Sequence, residues 1–144
     1  MNNFDHCFKK ILVPLDGSKY SEKVLERASN LVSAFDSKII LLYVIEKPLP
    51  INFLDRKEYL NILQKFGNKT LNKANDLLLK NGITAKTLLK KGNIVSEIEK
   101  VAKNEKCDLI VVGSKGLGAV TRLLLGSVSN KLAQYSPCSL LIVK

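Results

Sequence analysis

Apolar positions along this chain alternate between two periods. Lys9 to Val13 closes in a short apolar run, and Pro14, which has no N–H to give to a ladder, marks the exit of a first strand. Beyond Ser18, a residue placed to cap a helix, Val24, Leu25, Ala28, Leu31, Val32 and Phe35 fall on one helical stripe. Lys38 to Val44 is again continuous and rich in β-branched and aromatic residues, the pattern of a parallel strand covered on both faces. Glu46 to Asn52, with Pro48 and Pro50, then reads as a loop in which the residue before each proline is held extended.

A second helix is predicted from about Leu54 to Lys80, where Asn81-Gly82 stops it. Ile83 to Leu89 reads as a third strand, less apolar than the others and therefore near a sheet edge. Gly92-Asn93 opens a third helix whose Ile94, Ile98, Val101 and Ala102 share a face. A fourth strand from Asp108 to Val112 leads into a glycine-bearing segment. A fourth helix follows from about Ser127 to Tyr135, then a stop at Pro137 and a fifth strand from Ser139 to Val143.

Five strands alternating with four helices predict an α/β fold. The expected form is one doubly wound, Rossmann-like parallel sheet of five strands, with residues 1–144 making a single domain. Ligands of such sheets bind beyond the carboxyl ends of the strands, where strand order reverses. If strands one and four are neighbours there, Pro14 to Asp16 and Gly113 to Gly116 meet.

The chemistry of that place is set by glycines. Gly113-Ser114-Lys115-Gly116 follows the apolar run Leu109 to Val112 directly, and Gly126-Ser127 follows nine residues later. Glycine has no Cβ, so backbone N–H groups approach an anion closely, and a helix opening at Gly126-Ser127 adds unpaired donors and the positive end of its dipole. That arrangement points to a phosphate. Neither the Walker pattern nor the dinucleotide fingerprint occurs, since the first strand exit carries only Gly17.

Composition narrows the setting. The chain has 144 residues, of which 46% are hydrophobic and 25% charged, as in an ordinary globular protein. Its longest apolar run, Ile39 to Ile45, is too short to span a bilayer, and charged residues throughout the first thirty positions leave no signal-peptide core. No membrane association and a cytoplasmic location are expected. Cys7, Cys107 and Cys138 are far apart and lack a C-x-x-C pair, so no structural metal is predicted.

The formal charge of +10 is unevenly spread. Nine Lys or Arg face two acids, Glu58 and Asp76, between Arg56 and Lys91. Lys65, Lys69 and Lys73 recur every four residues and form a row on one helix face, opposite Leu60, Leu63, Ala74, Leu77 and Leu78. This is the pattern of a solvated face. A nucleic-acid or acidic-partner surface is the alternative, disfavoured because aromatic residues make up only 6% of the chain, too few for a stacking platform.

The strand exit Val13-Pro14-Leu15-Asp16, the run Leu41 to Ile45, the spacing G-x-x-G, nine residues, G-S, and the terminal Ser136-Pro137-Cys138 together resemble the ATP-binding branch of the universal stress protein family. The likeness covers nearly the whole chain and implies an adenine nucleotide alpha hydrolase-like fold. It further implies that Asp16, beside Pro14, approaches the ribose or base, and that Val44 and Val112 hold the adenine through their backbones. Gly113, Gly116, Gly126, Ser127 and Ser129 would surround the phosphates, with Val128 in the same nucleotide-binding set. Lys115 is placed to neutralise one, although its family position varies in residue type. Ser139 departs from the proline often found there, and Arg122 has no assigned role.

The same resemblance implies ATP or another adenine nucleotide as ligand, with or without magnesium, and a homodimer paired through Ser139 to Val143. Binding is favoured over turnover. The one histidine, His6, precedes the first strand, and no second acid joins Asp16 to hold a metal for phosphoanhydride hydrolysis. The expected role is a nucleotide-dependent regulatory or sensing module of the stress response that acts through a protein partner. Slow ATP hydrolysis is the first alternative.

Overall fold

The computed structural model describes residues 7–46, 56–115 and 125–144. In chain order it contains β1 (Lys10–Leu15), α1 (Ser21–Phe35), β2 (Lys38–Glu46), α2 (Arg56–Lys80), β3 (Lys86–Gly92), α3 (Ile94–Asn104), β4 (Leu109–Gly113), α4 (Ser127–Tyr135) and β5 (Ser139–Val143). All strand pairs are parallel and the order is β3-β2-β1-β4-β5. The α/β, doubly wound prediction is borne out, and β1 and β4 are the neighbours at which the order reverses.

The period of two along each strand divides the core. Ile11, Val13 and Leu15 of β1 face α1 and α2 through Val24, Ala28, Leu71 and Leu78. Leu12, Ile40, Leu42 and Ile110 face the other way, against Ile98 and Ala102 of α3 and Leu132 of α4. Because helices cover both faces, the inner strands carry apolar residues at successive positions rather than at alternate ones. The helical stripe of α1 buries Val24, Leu25, Ala28 and Val32, four of the six residues that defined it.

Several boundaries differ from the sequence reading. Pro14 lies inside β1, paired with Leu42 of β2, and does not end the strand. Its missing N–H is tolerated because pairing with β4 is confined to Ile11 and Leu12, so β1 and β4 have diverged before Pro14 is reached. Ser18 does not cap α1, whose N-cap is Tyr20 without a side-chain cap bond. The Ser18 N–H instead donates to Asp16 Oδ1 at 2.8 Å, closing a tight turn.

The third strand begins three residues later than predicted and runs to Gly92. After α2, Gly82 adopts φ +74° and the Ile83 N–H reaches back to the Leu78 carbonyl at 3.0 Å, so Ile83 returns to the core as part of the helix stop. Pairing then extends through Lys90 and Lys91, which an edge strand tolerates because one side meets solvent. Strand two likewise extends to Glu46, opposite Gly92, taking the first residue of the predicted loop. His6, Pro48, Pro50, Leu54, Gly116 and Arg122 lie outside the described residues.

At the amino ends of the strands, away from the glycine segment, charges form a clasp. Glu105 pairs with Lys86 at 2.8 Å and with Lys10 at 3.6 Å, while Asp108 accepts the N–H groups of Lys9 and Lys10. The Lys86 hydrogen bond, more than the nearby charges, holds the Glu105 carboxyl below its ordinary value of 4.5. A depressed carboxyl stabilises the fold above its unfolded pKa, and the contribution fades as pH falls through the folded value. Glu105→Gln is therefore expected to melt at a lower temperature than the unaltered protein at pH 7. The gap should close as the pH is taken below about 4.5, and thermal denaturation of both proteins from neutral to acid pH checks it.

Candidate functional site

One crevice of about 880 Å³ opens at the carboxyl ends of the strands. It is lined by Pro14 and Asp16 of the β1 exit, Val44 of β2, Val112 and Gly113 of β4, Lys115, and Gly126, Ser127, Val128 and Ser129 at the start of α4. Every residue predicted for the site is thus brought to one place, apart from Gly116, which lies outside the described residues.

Local hydrogen bonds explain how the glycine segment is held. The Gly126 N–H donates to the Ser114 carbonyl at 2.6 Å, which folds the segment's two ends together. Ser129, only 2% exposed, aims its hydroxyl at the Ser114 carbonyl (3.3 Å) and the Gly126 carbonyl (3.0 Å), tying both arms from within. The Ser114 N–H donates in turn to the carbonyl of Val143 at 2.8 Å, anchoring the first arm to β5. Ser129 therefore acts on the shape of the loop, whereas Ser127 is exposed at the helix start. Gly126 is the N-cap of α4 and carries no capping side chain, so the first turn opens towards the crevice with backbone donors.

On the opposite wall, Asp16 is half-buried and its Oδ1 fixes the turn through Ser18. Gly17 makes that turn possible twice over. Its φ is +79°, and a Cβ there would stand 2.7 Å from Cζ of Phe66 on α2. The Phe66 ring meets Tyr43 edge-on at 6.0 Å. Burial, and secondly the Asp16 carboxylate, push the Tyr43 hydroxyl above its ordinary pKa of 10, so it is a protonated donor at neutral pH.

Sequence reasoning missed several lining residues: Tyr20, Ser21, Tyr43, Tyr59 and Leu63 on one side, Ile94 and Ile98 on the other. Ile94 and Ile98, which the helical pattern marks as the core face of α3, pack against the core and line the crevice as well. The available signal was position: Tyr20, Tyr59 and Ile94 all stand at or near the start of a helix that follows a strand, the end of the sheet where ligands bind.

Outside the crevice, Lys65, Lys69 and Lys73 are exposed on α2 as a solvated face requires, and Lys73 meets Glu22 at 3.7 Å. Cys107 is buried before β4, and burial pushes its thiol up to about 11. A thiol reagent at pH 8 is expected to label exposed Cys7 within the mixing time of a slow assay and Cys107 only after denaturant is added, as peptide mapping would show.

Comparisons with known proteins agree with this architecture. The profile described as the universal stress protein family matches residues 8–144. Universal stress protein YxiE of Bacillus subtilis (strain 168) is 34% identical over 149 residues, covering 95% of this chain and 99% of that protein. Universal stress protein UspA from Lactobacillus plantarum superposes with a TM-score of 0.87 at 22% identity, covering 96% of this chain and 99% of its own. A universal stress protein solved in complex with cAMP has a TM-score of 0.74 at 28% identity, covering 96% of this chain and 99% of its own. A match to the family profile from Phe8, two residues before β1, to the last residue of the chain, together with a relative 34% identical over nearly the full length of both proteins, makes this chain a member of the universal stress protein family.

Proposed function

We propose that the crevice binds an adenine nucleotide, ATP foremost, and that the protein serves as a nucleotide-dependent regulatory module of the stress response. The observation that carries this reading is the folding of Gly126 onto Ser114, which sets the open first turn of α4 beside the end of β4. Backbone donors there suit a phosphate tail. In this reading Pro14, Val44, Val112 and Val128 enclose the base, Asp16 accepts from ribose hydroxyls, and Gly113, Gly126 and Ser127 cradle the phosphates. Lys115, half-buried at the mouth, neutralises the outermost charge. A related protein solved with cAMP supports an adenine ligand.

The test is mass spectrometry of small molecules released from freshly purified protein, followed by calorimetry with millimolar ATP and AMP. Recovery of an adenine nucleotide and a saturable heat are expected. Absence of both would remove the proposal.

We also propose a homodimer built through β5. This strand ends the sheet, and Leu141 is 38% exposed on it, a short apolar edge of the kind that pairs with another chain. Sedimentation at micromolar concentration should return twice the chain mass of 16.0 kDa, and a monomer would contradict it. The protein would then act in the cytoplasm through a partner that senses the bound nucleotide.

A further inference from the structure

The crevice draws its lining from both faces of the sheet. Val44, Val112 and Val128 belong to the side of the core packed by α3 and α4. Val24 and Tyr43 belong to the opposite side, packed by α1 and α2, yet they line the same crevice. It therefore straddles the carboxyl edge of the sheet, and its volume of about 880 Å³ stands in the upper part of the ~300–1,000 Å³ range of small-molecule sites.

The lobe over α1 and α2 has a chemistry of its own. Tyr20, Tyr43 and Tyr59 bring three aromatic rings, Leu63 adds an apolar wall, and Ser18 and Ser21 add hydroxyls. Tyr20 and Tyr59 line the crevice while keeping 36% and 45% of their surface exposed, so ring area remains open to a ligand. Such a set fits a flat heteroaromatic ring: faces stack on tyrosine, and hydroxyls meet the polar edge. The floor is held in place, because Phe66 packs on Tyr43 and against the turn at Gly17. Preorganisation of that kind lowers the entropy lost on binding.

The two lobes join at the glycine segment. A Cβ built on Gly113 would stand 3.4 Å from Cγ2 of Val24, so the phosphate arm borders the first turns of α1. A phosphate chain lying along Gly113 and Gly126 thus has a base seat on either side of it. We infer that the α1–α2 lobe seats a second nucleoside, and that the crevice accommodates a dinucleoside polyphosphate whose two bases lie on opposite sides of the sheet edge. The inference rests on the mononucleotide reading above and extends it; no bond is made or broken.

Calorimetry of the unaltered protein with three probes tests it: ATP, adenosine 5′-tetraphosphate and P1,P4-di(adenosine-5′) tetraphosphate. The last two share the phosphate chain and differ by one nucleoside. The dinucleotide is expected to bind about tenfold tighter than adenosine tetraphosphate. Tyr59→Ala and, separately, Tyr20→Ala should each remove most of that advantage while shifting the ATP affinity less than about twofold. Equal affinity for the two tetraphosphates would overturn the second seat and leave the mononucleotide reading standing. An equal loss of ATP and dinucleotide affinity in both tyrosine variants would also overturn it, and no heat with any probe would remove both readings.

Discussion

Gly126→Asp is expected to abolish ATP binding in a protein that still folds. Gly126 has φ −60° and ψ 159°, extended values open to any residue, so the glycine is not there for its backbone freedom. It is there for space. A Cβ would meet the Ser114 carbonyl oxygen at 3.2 Å and Lys115 Cα at 3.6 Å, in the seam where the two arms close. Aspartate is among the favoured N-cap residues, which offsets the crowding as far as α4 is concerned.

With a nucleotide bound as proposed, the same carboxylate would face a phosphate. Two unit charges 4–5 Å apart repel by roughly 3–4 kcal/mol at an effective dielectric near 20, a loss of about 10²–10³ in affinity. Gly126→Ala, which adds the Cβ without the charge, should lose far less. Calorimetry with ATP measures the difference, and thermal melts of the three proteins confirm that folding is retained. If the aspartate variant bound ATP as the unaltered protein does, the phosphates would have to lie elsewhere.

Gly67→Ala is expected to lower stability, the reverse of what helix propensity predicts. In an exposed helix interior that substitution gains about 1 kcal/mol. Gly67 is instead buried in the middle of α2, where a Cβ would stand 2.7 Å from Tyr43 Cδ1 and 2.8 Å from Leu89 Cδ1. Overpacking of this kind costs ~1–3 kcal/mol, which exceeds the gain. The melting temperature should fall by several degrees, whereas Asn72→Ala, at an exposed position of the same helix, should hold or raise it. Leu89→Ala combined with Gly67→Ala should be less harmful than the two single effects added together, because trimming one neighbour relieves the clash. Denaturant unfolding of the four variants is the measurement.

These two glycines also show what a sequence conveys. The place of Gly126 at the start of α4, beside the end of β4, was legible because a strand end, a few glycines and a helix start are contiguous or nearly so. The bounds of α4 and β5 were read as they stand for the same reason, with Gly126 and Pro137 marking them. Gly67 was silent, since its partners Tyr43 and Leu89 sit on other strands and only the packing of α2 onto β2 and β3 brings them near.

Pro14 misled because whether it breaks a strand depends on which side has a neighbour at that height, a property of the sheet and not of the residue. Ser18 misled because Asp16, two positions earlier, competes for the same short turn. The lobe built by Tyr20, Tyr43 and Tyr59 draws on three elements separated by loops, so no short motif announces it.

The hydrogen bond from Ser114 to Val143 has a mechanical consequence. The rim of the crevice and the outermost strand are hooked together through main-chain atoms alone, with no rotatable side group between them to absorb a shift. A tug on the terminal strand is delivered straight to the place where an anion would rest, and a load on that place is felt at the margin of the sheet.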